Sequence, residues 1–359
     1  MNSLQSLRLS LVPRVLEAKG PPRGFHNPPK ANHTAVRITG GIGDLILGLG
    51  LAEALNQVTG DVKVYSKWPV IGEMFSHLEQ VDEQTLIRTN GLDFILAVNS
   101  MAQFQFANNF DVFHNDALND IHVNHILFKS KGEWEYVLDN HPNLDNIMGV
   151  KAVEMGFNRE TIAYACLGLE FKPLANHGLI GRYPKLRPSR PYITIHDGFD
   201  ENIKGIQRRS MKNWNIDFWK TTIKELKISH PDLKIIQLGG SNSRHIPGVD
   251  IDYVGALSFS QSAYVLEGSK CHIDGDSGLV HAAKVFGVPS VVLFGPTSAS
   301  FFGYEQNINL APSYCGGCWW LKADWMAKCC LNFEIPECMD SIVPANVLVA
   351  VSKILGRLL

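Results

Sequence analysis

Cys271–Thr297 reads CHIDGDSGLVHAAKVFGVPSVVLFGPT, and this stretch decides the fold. Cys271 to Ile273 look like the end of a buried strand, and Asp274-Gly275-Asp276-Ser277-Gly278 like a turn and cap. Leu279 to Phe286 carry apolar residues at helical spacing, Gly287-Val288-Pro289 stops that helix, and Ser290 to Phe294 is a second apolar run. Strand, tight turn, helix, strand is a parallel βαβ unit. Its turn lies at the carboxyl edge of the sheet, where helix amides and the helix dipole favour an anion. Gly278 lets a ligand approach the backbone. Ser277 adds a hydroxyl, and His281, one turn into the helix, can face the same ligand. The predicted chemistry is phosphate or pyrophosphate binding at Asp276–His281, although Asp-Ser-Gly also serves as a plain N-cap.

The segment DSGLVHAAKVFGVPSVVLFGPT resembles, without a gap, the signature D-[ST]-G-x-x-H-x-A-x-x-x-G-x-P-x-x-x-x-[FY]-G-x-T. That signature belongs to glycosyltransferase family 9, the ADP-heptose:lipopolysaccharide heptosyltransferases. The resemblance implies an α/β chain of GT-B type, with two Rossmann-like domains facing across a cleft. It also implies an inverting transfer of a sugar, heptose by family default, from a nucleotide-diphosphate donor to an acceptor hydroxyl.

Working outward, Thr34 to Thr39 (TAVRIT) alternate and are β-branched, so a first strand is expected. Gly40-Gly41-Ile42-Gly43-Asp44 and the apolar helix LILGLGLAEALNQ follow. A dinucleotide fingerprint is disfavoured, because the third glycine position is Ile46 and the next strand, Val62 to Tyr65, ends in Ser66-Lys67 rather than an acid. Asp44 reads as a helix cap. It also occupies the place of the family's proposed catalytic base, and Gly43 beside it is assigned to donor binding. Phe94 to Val98 and Phe110 to Phe113 are further strand candidates. His114-Asn115-Asp116 then stand at a carboxyl edge, as solvated loop or acceptor pocket. Residues 117–170 read as mainly helical, with His122 and His125 as surface or core residues.

Prolines 173, 184, 188 and 191 mark a linker, after which Tyr192 to His196 restart the α/β alternation. Lys212-Asn213-Trp214 precedes a helix over 216–229 and resembles the family's K-x-W-P element, with Asn215 in place of proline. The resemblance gives Lys212 a contact with donor phosphates, with Arg208 and Arg209 as further candidates. Leu233 to Leu238 form a strand ending in Gly239-Gly240-Ser241, where a nucleotide base is expected near Gly239. Val254-Gly255 and the helix Ser258 to Glu267 follow.

Five of the seven cysteines crowd into CGGCWWLKADWMAKCCLNFEIPEC, from Cys315 to Cys338. Cys315-x2-Cys318 is a chelating knuckle, and clustered thiols suggest a structural zinc or iron more than disulfides. The expected ligands are Cys315, Cys318, Cys330 and Cys338, with Cys329 as substitute for Cys330. This pattern also resembles the autotransporter heptosyltransferases, whose cysteines bind iron. No metal is expected in catalysis, since helix amides with Lys212 and His281 can stabilise the departing diphosphate.

A length of 359 residues suggests two domains. A net charge of −2 gives no nucleic-acid footprint. No apolar run reaches the roughly 20 residues that span a bilayer, and MNSLQSLRLSLVPRVLEAKG lacks a signal peptide's apolar region, so a cytoplasmic location is expected. The expected division is a leader (1–33), an acceptor domain (34–172), a linker (173–191), a nucleotide-sugar domain (192–342) with the Cys-rich insert 315–338, and a C-terminal helix (343–359) packing back on the first domain. Two other functions stay open. One is a GT-B nucleotide-sugar epimerase, and the other a non-catalytic nucleotide-sugar-binding protein that has no need of Asp44.

Overall fold

The computed structural model describes residues 33–38, 40–60, 62–66, 68, 78–80, 92–98, 102–105, 116–139, 144–174, 183–198 and 209–358. The expected leader apart from His33, the Phe110–Phe113 strand, His114, Asn115 and Arg208 lie outside the described residues.

The first sheet has the order β3-β2-β1-β4-β5. Its strands are β1 (His33–Ile38), β2 (Val62–Ser66), β3 (Glu79–Gln80), β4 (Leu92–Val98) and β5 (Ala102–Gln105). All pairs are parallel except β4 with β5. Helix α1 (Ile42–Thr59) follows β1. It is apolar nearly all round, with Leu45, Ile46, Leu49, Leu51, Ala52 and Leu55 buried, because it lies between its own sheet and the second domain. Gly60 ends it in a left-handed conformation. Four helices then fill the region expected to be helical: α2 (Asp116–Lys129), α3 (Trp134–Asp139), α4 (Asp145–Glu154) and α5 (Ile162–Leu167).

The second sheet is wholly parallel, in the order β11-β10-β9-β6-β7-β8. In chain order its elements are β6 (Tyr192–Ile195), α6 (Ile216–Ser229), β7 (Lys234–Gln237), β8 (Ile251–Asp252), α7 (Phe259–Glu267), β9 (His272–Gly275), α8 (Gly278–Val285), β10 (Ser290–Leu293), α9 (Ala299–Phe302) and β11 (Ile308–Leu310), followed by α10 (Glu337–Asp340) and α11 (Pro344–Leu358). The strands β6, β9 and β10 are buried throughout, as expected of a sheet covered on both faces. Strand order reverses between β6 and β9, and in the first sheet between β1 and β4. Such switch points open the crevices that hold ligands in doubly wound sheets.

One expectation about packing is corrected. Among the described residues the C-terminal helix α11 does not pack back on the first domain. Its apolar face, Val347, Ala350, Val351, Ile354 and Leu355, joins the core of the second domain against α6, β10 and β11. The elements that do join the halves are helices of the first half. Phe128, Trp134, Met148, Ala152 and Ile162 share a core with Phe301, Trp319 and Trp325 of the second half. The Cys-rich insert is thus a wedge between the halves, with Trp319 Nε1 donating to Asp145 Oδ2 (3.1 Å) and Asn146 Nδ2 to the Gly317 carbonyl (2.8 Å).

Candidate active site

The amino ends of α1 and α8 meet head to head where the two halves join. A Cβ on Gly278 would lie 3.0 Å from Ile42 Cβ and 3.2 Å from Gly43 N. A Cβ on Gly43 would lie 2.5 Å from His281 Cδ2 and 2.8 Å from Nε2. Both glycines are therefore dictated by the approach of the opposing helix. The space beside Gly278, expected to be reserved for a phosphate, is in part occupied by Ile42 and Gly43. Two helix amino termini facing one crevice concentrate unpaired N–H groups and positive dipole ends there.

Ser277 caps α8, its Oγ accepting from Leu279 N (3.2 Å) and donating to Asp274 Oδ2 (2.5 Å). His196 Nδ1 and His272 Nε2 also bond Asp274, at 3.0 and 3.1 Å. Burial opposes ionisation of Asp274, yet His196 and His272 hold its carboxyl well below the usual range. The cap hydroxyl is thereby anchored to a buried anion. Lys212 Nζ donates to the Asp276 carbonyl oxygen and lies 3.4 Å from Asp276 Oδ2, so this cation crosses the same turn. Its loop is fixed from below by Asp197, which follows β6. Asn213 Nδ2, Arg244 and Trp219 Nε1 all donate to that buried carboxylate, at 2.7–2.8 Å. Arg209 instead donates to Asp340 (2.7 Å) and lines neither of the cavities described below.

Asp44 occupies the first turn of α1. Its Oδ2 accepts from Gly41 N (2.9 Å), so the cap reading holds, and its Oδ1 pairs with Arg159 at 2.5 Å. Arg159 is buried and sits in the turn before α5, where its own N–H donates to the Phe301 carbonyl (2.7 Å). The adjacent Glu160 pairs with Lys284 of α8. Sequence reasoning missed Arg159, because nothing in its neighbours' spacing brings it to a residue so distant in the chain.

His281 is buried, with Nδ1 hydrogen-bonded to Tyr304. Burial pushes its pKa down to about 4, against the pull of Asp276. A neutral ring can hydrogen-bond a phosphate but adds no cation, so positive charge here comes from Arg159, Lys212 and the helix ends. The depressed pKa makes the fold acid-sensitive. The stabilisation is fully present above the unfolded pKa of about 6.5 and is lost as pH falls through about 4, reaching about 3 kcal/mol if the protein stays folded. Urea unfolding from pH 7 to 4 is expected to be steeper in pH for the wild type than for His281→Gln. Equal slopes would assign the acid sensitivity to other groups.

Two cavities flank the helix junction, and Gly41, Ile42, Lys212, Asp276, Ser277 and Gly278 line both. One, of about 440 Å³, extends over the second sheet past His196, Gly198, Gly239 and Gly240 to Leu257 and Phe259, with Trp68 from the first half. The other, of about 380 Å³, extends past Asp44, Arg159 and His281 to Thr297, Trp319, Trp320 and Trp325. The structure thus brings Asp44, Gly43, Lys212, Gly239, Asp276, Ser277, Gly278 and His281 to one connected crevice.

The expected sulfur cluster is only half assembled. Cys315 lies near Cys338 and Cys318 near Cys330, with Cys329 in the neighbourhood of both. Burial pushes Cys318 and Cys338 up to about 12. Among the described residues no three His, Cys, Asp or Glu side chains form one group able to hold an ion. Two adjacent pairs of soft thiols suit a tetrahedral soft metal by donor chemistry, though not by their present spacing.

Residues 206–316 match glycosyltransferase family 9 (heptosyltransferase). No curated protein sequence matches this chain. Among solved structures it is similar to the iron-containing dodecameric glycosyltransferase TibC of enterotoxigenic E. coli, at 17% identity and a TM-score of 0.61, covering 92% of this chain and 77% of that one. TibC has also been solved in complex with ADP-D-β-D-heptose. The E. coli ADP-heptose LPS heptosyltransferase II gives 14% identity and 0.58 over 90% of this chain and 99% of its own. A family 9 glycosyltransferase of Veillonella parvula gives 14% and 0.52 over 92% and 99%. The fold is GT-B, as the family 9 resemblance implied. Among the described residues no helix is long and apolar enough to cross a membrane.

Proposed function

We propose that this chain is a glycosyltransferase that moves a sugar from a nucleotide-diphosphate donor to an acceptor hydroxyl with inversion, ADP-heptose being the donor and a saccharide or protein the acceptor, in the cytoplasm. The observation that carries this is the pair of cavities meeting at two opposed helix amino termini crossed by Lys212. The nucleoside occupies the cavity over Gly239 and Gly240. The diphosphate lies against Ser277, Gly278, Lys212 and the amides at Gly43, and the sugar reaches toward Asp44. Asp44 takes the proton of the acceptor hydroxyl as its oxygen bonds the anomeric carbon, and the bond from that carbon to the diphosphate oxygen breaks. Helix amides and Lys212 receive the negative charge on the leaving group. Arg159 and the Gly41 N–H orient Asp44 while leaving lone pairs on both oxygens.

A thermal-shift screen against a panel of nucleotide sugars, coupled to nucleoside-diphosphate release, tests the reading. ADP-heptose is expected to stabilise the fold and release ADP, and no response to any nucleotide sugar sinks the proposal. Lys212→Met is expected to weaken ADP about tenfold or more, since it removes a charged hydrogen bond, and to leave adenosine unaffected. Equal loss for both ligands means that Lys212 only braces its loop.

The cysteine pairs are proposed to draw together on a zinc or iron ion held by Cys315, Cys318, Cys330 and Cys338, as the iron of TibC and the donor chemistry suggest. Its role is structural, pinning the insert. Protein purified without a metal-affinity step is expected to carry about one equivalent. Cys318→Ser is expected to lose the ion and melt earlier, whereas metal-free protein of full stability leaves the thiols as packing groups.

A further inference from the structure

The cavity beside Asp44 has a wall contributed by Thr297, the last residue of the signature, and by Trp319, Trp320, Trp325 and Met326 of the Cys-rich insert, which lie outside it. We propose that this wall is a saccharide-binding surface, in which Thr297 Oγ1 and Trp325 Nε1 hydrogen-bond sugar hydroxyls and Trp320 packs on an apolar ring face; the inference rests on the glycosyltransferase reading of the same cleft.

Three observations carry it. Thr297 and Trp325 are both more than nine-tenths buried, line this cavity, and have a side-chain polar atom shielded from solvent with no hydrogen-bond partner. An unmade bond of that kind leaves a desolvated polar group uncompensated, so a ligand that completes both bonds recovers that loss. The wall is also held in place before any ligand arrives. The Met326 carbonyl accepts from Met211 N (2.9 Å) and Ser210 Oγ (3.2 Å), next to Lys212, while Trp319 is tied to Asp145. Finally, Trp320 is one of two non-glycine residues in the left-handed region among those described (φ 55°). Its ring lies 6.3 Å from that of Trp325, tilted by 52°. Indole faces combined with a hydroxyl and an N–H beside carboxylates suit a ring that has apolar C–H faces and a polar edge. A purely apolar or anionic ligand would leave one of these sets unmatched. The cavity's size, about 380 Å³, falls within the usual small-ligand range of about 300–1,000 Å³.

The saccharide has two possible sources, the donor's sugar and the acceptor. Thr297→Val keeps the shape and deletes the hydroxyl. Trp325→Phe keeps a ring and deletes the N–H. Each is titrated by calorimetry with ADP, with ADP-heptose and, under saturating ADP, with a lipopolysaccharide core oligosaccharide, after a melting curve confirms folding. ADP affinity is expected to stay unchanged while ADP-heptose weakens about tenfold in each variant. Weakening confined to the oligosaccharide also supports the surface and assigns it to the acceptor. Unchanged affinity for both saccharide ligands overturns the inference while leaving the donor reading intact, and so does a loss of ADP affinity in step with ADP-heptose. Wild-type protein that binds neither ADP nor ADP-heptose sinks the donor reading first and the inference with it.

Discussion

Asp44→Asn is expected to lower turnover by about 10²-fold or more while leaving the affinity for ADP nearly unchanged. The amide oxygen can still accept from Gly41 N, so the cap of α1 survives. What is lost is the charge that balances Arg159 and that is proposed to accept the acceptor's proton. Because Arg159 is buried, the variant also melts earlier, by an amount separable from the kinetic effect. The comparison is made at a temperature where both proteins are folded. If ADP affinity and turnover fall together, Asp44 is a structural cap and the chain is better read as a nucleotide-sugar-binding protein.

The second large effect is expected from closing the junction between the helices. Gly43→Ala places a methyl within 2.5 Å of a buried imidazole carbon, and the ring is pinned by its bond to Tyr304. Gly278→Val pushes against Ile42 and the backbone of Gly43. Overpacking of this kind costs about 1–3 kcal/mol, and the strain falls on the surface that joins the domains. Both variants are expected to melt earlier and to lose ADP binding, since the opposed helix ends no longer frame one anion site. Gly356→Ala, on an open part of α11, is the control and is expected to be neutral or mildly stabilising. Full ADP affinity in Gly278→Val would remove the helix junction from the donor site.

How far the sequence could be read depended on the range of the interactions. The βαβ unit at 271–297 and the helix over 216–229 were legible because both depend on local spacing, a cap and a stop. Strand β9 runs on through Gly275, two residues past the expected strand end and into the expected turn, since Asp274 and Gly275 pair with Val292 and Leu293 of β10. The short strands β5 and β11 were missed, because three or four residues carry too little periodicity. Arg159 and the wall formed by Thr297 and Trp325 were invisible for another reason. Their roles arise only when helices of the first half dock on the insert. The C-terminal helix was misplaced because an amphipathic face records that it must be covered, without recording by what.

The wedge of tryptophans between the halves bears on how this chain could be divided. The proline-marked linker looks like a natural cut between two self-sufficient units. A cut there would leave Phe301, Trp319 and Trp325 without the helices that bury them, and Met148 and Ile162 without their opposite wall. Neither fragment would close this shared cluster, so the two halves are expected to unfold together, with the linker a connection in sequence and not a border in energy.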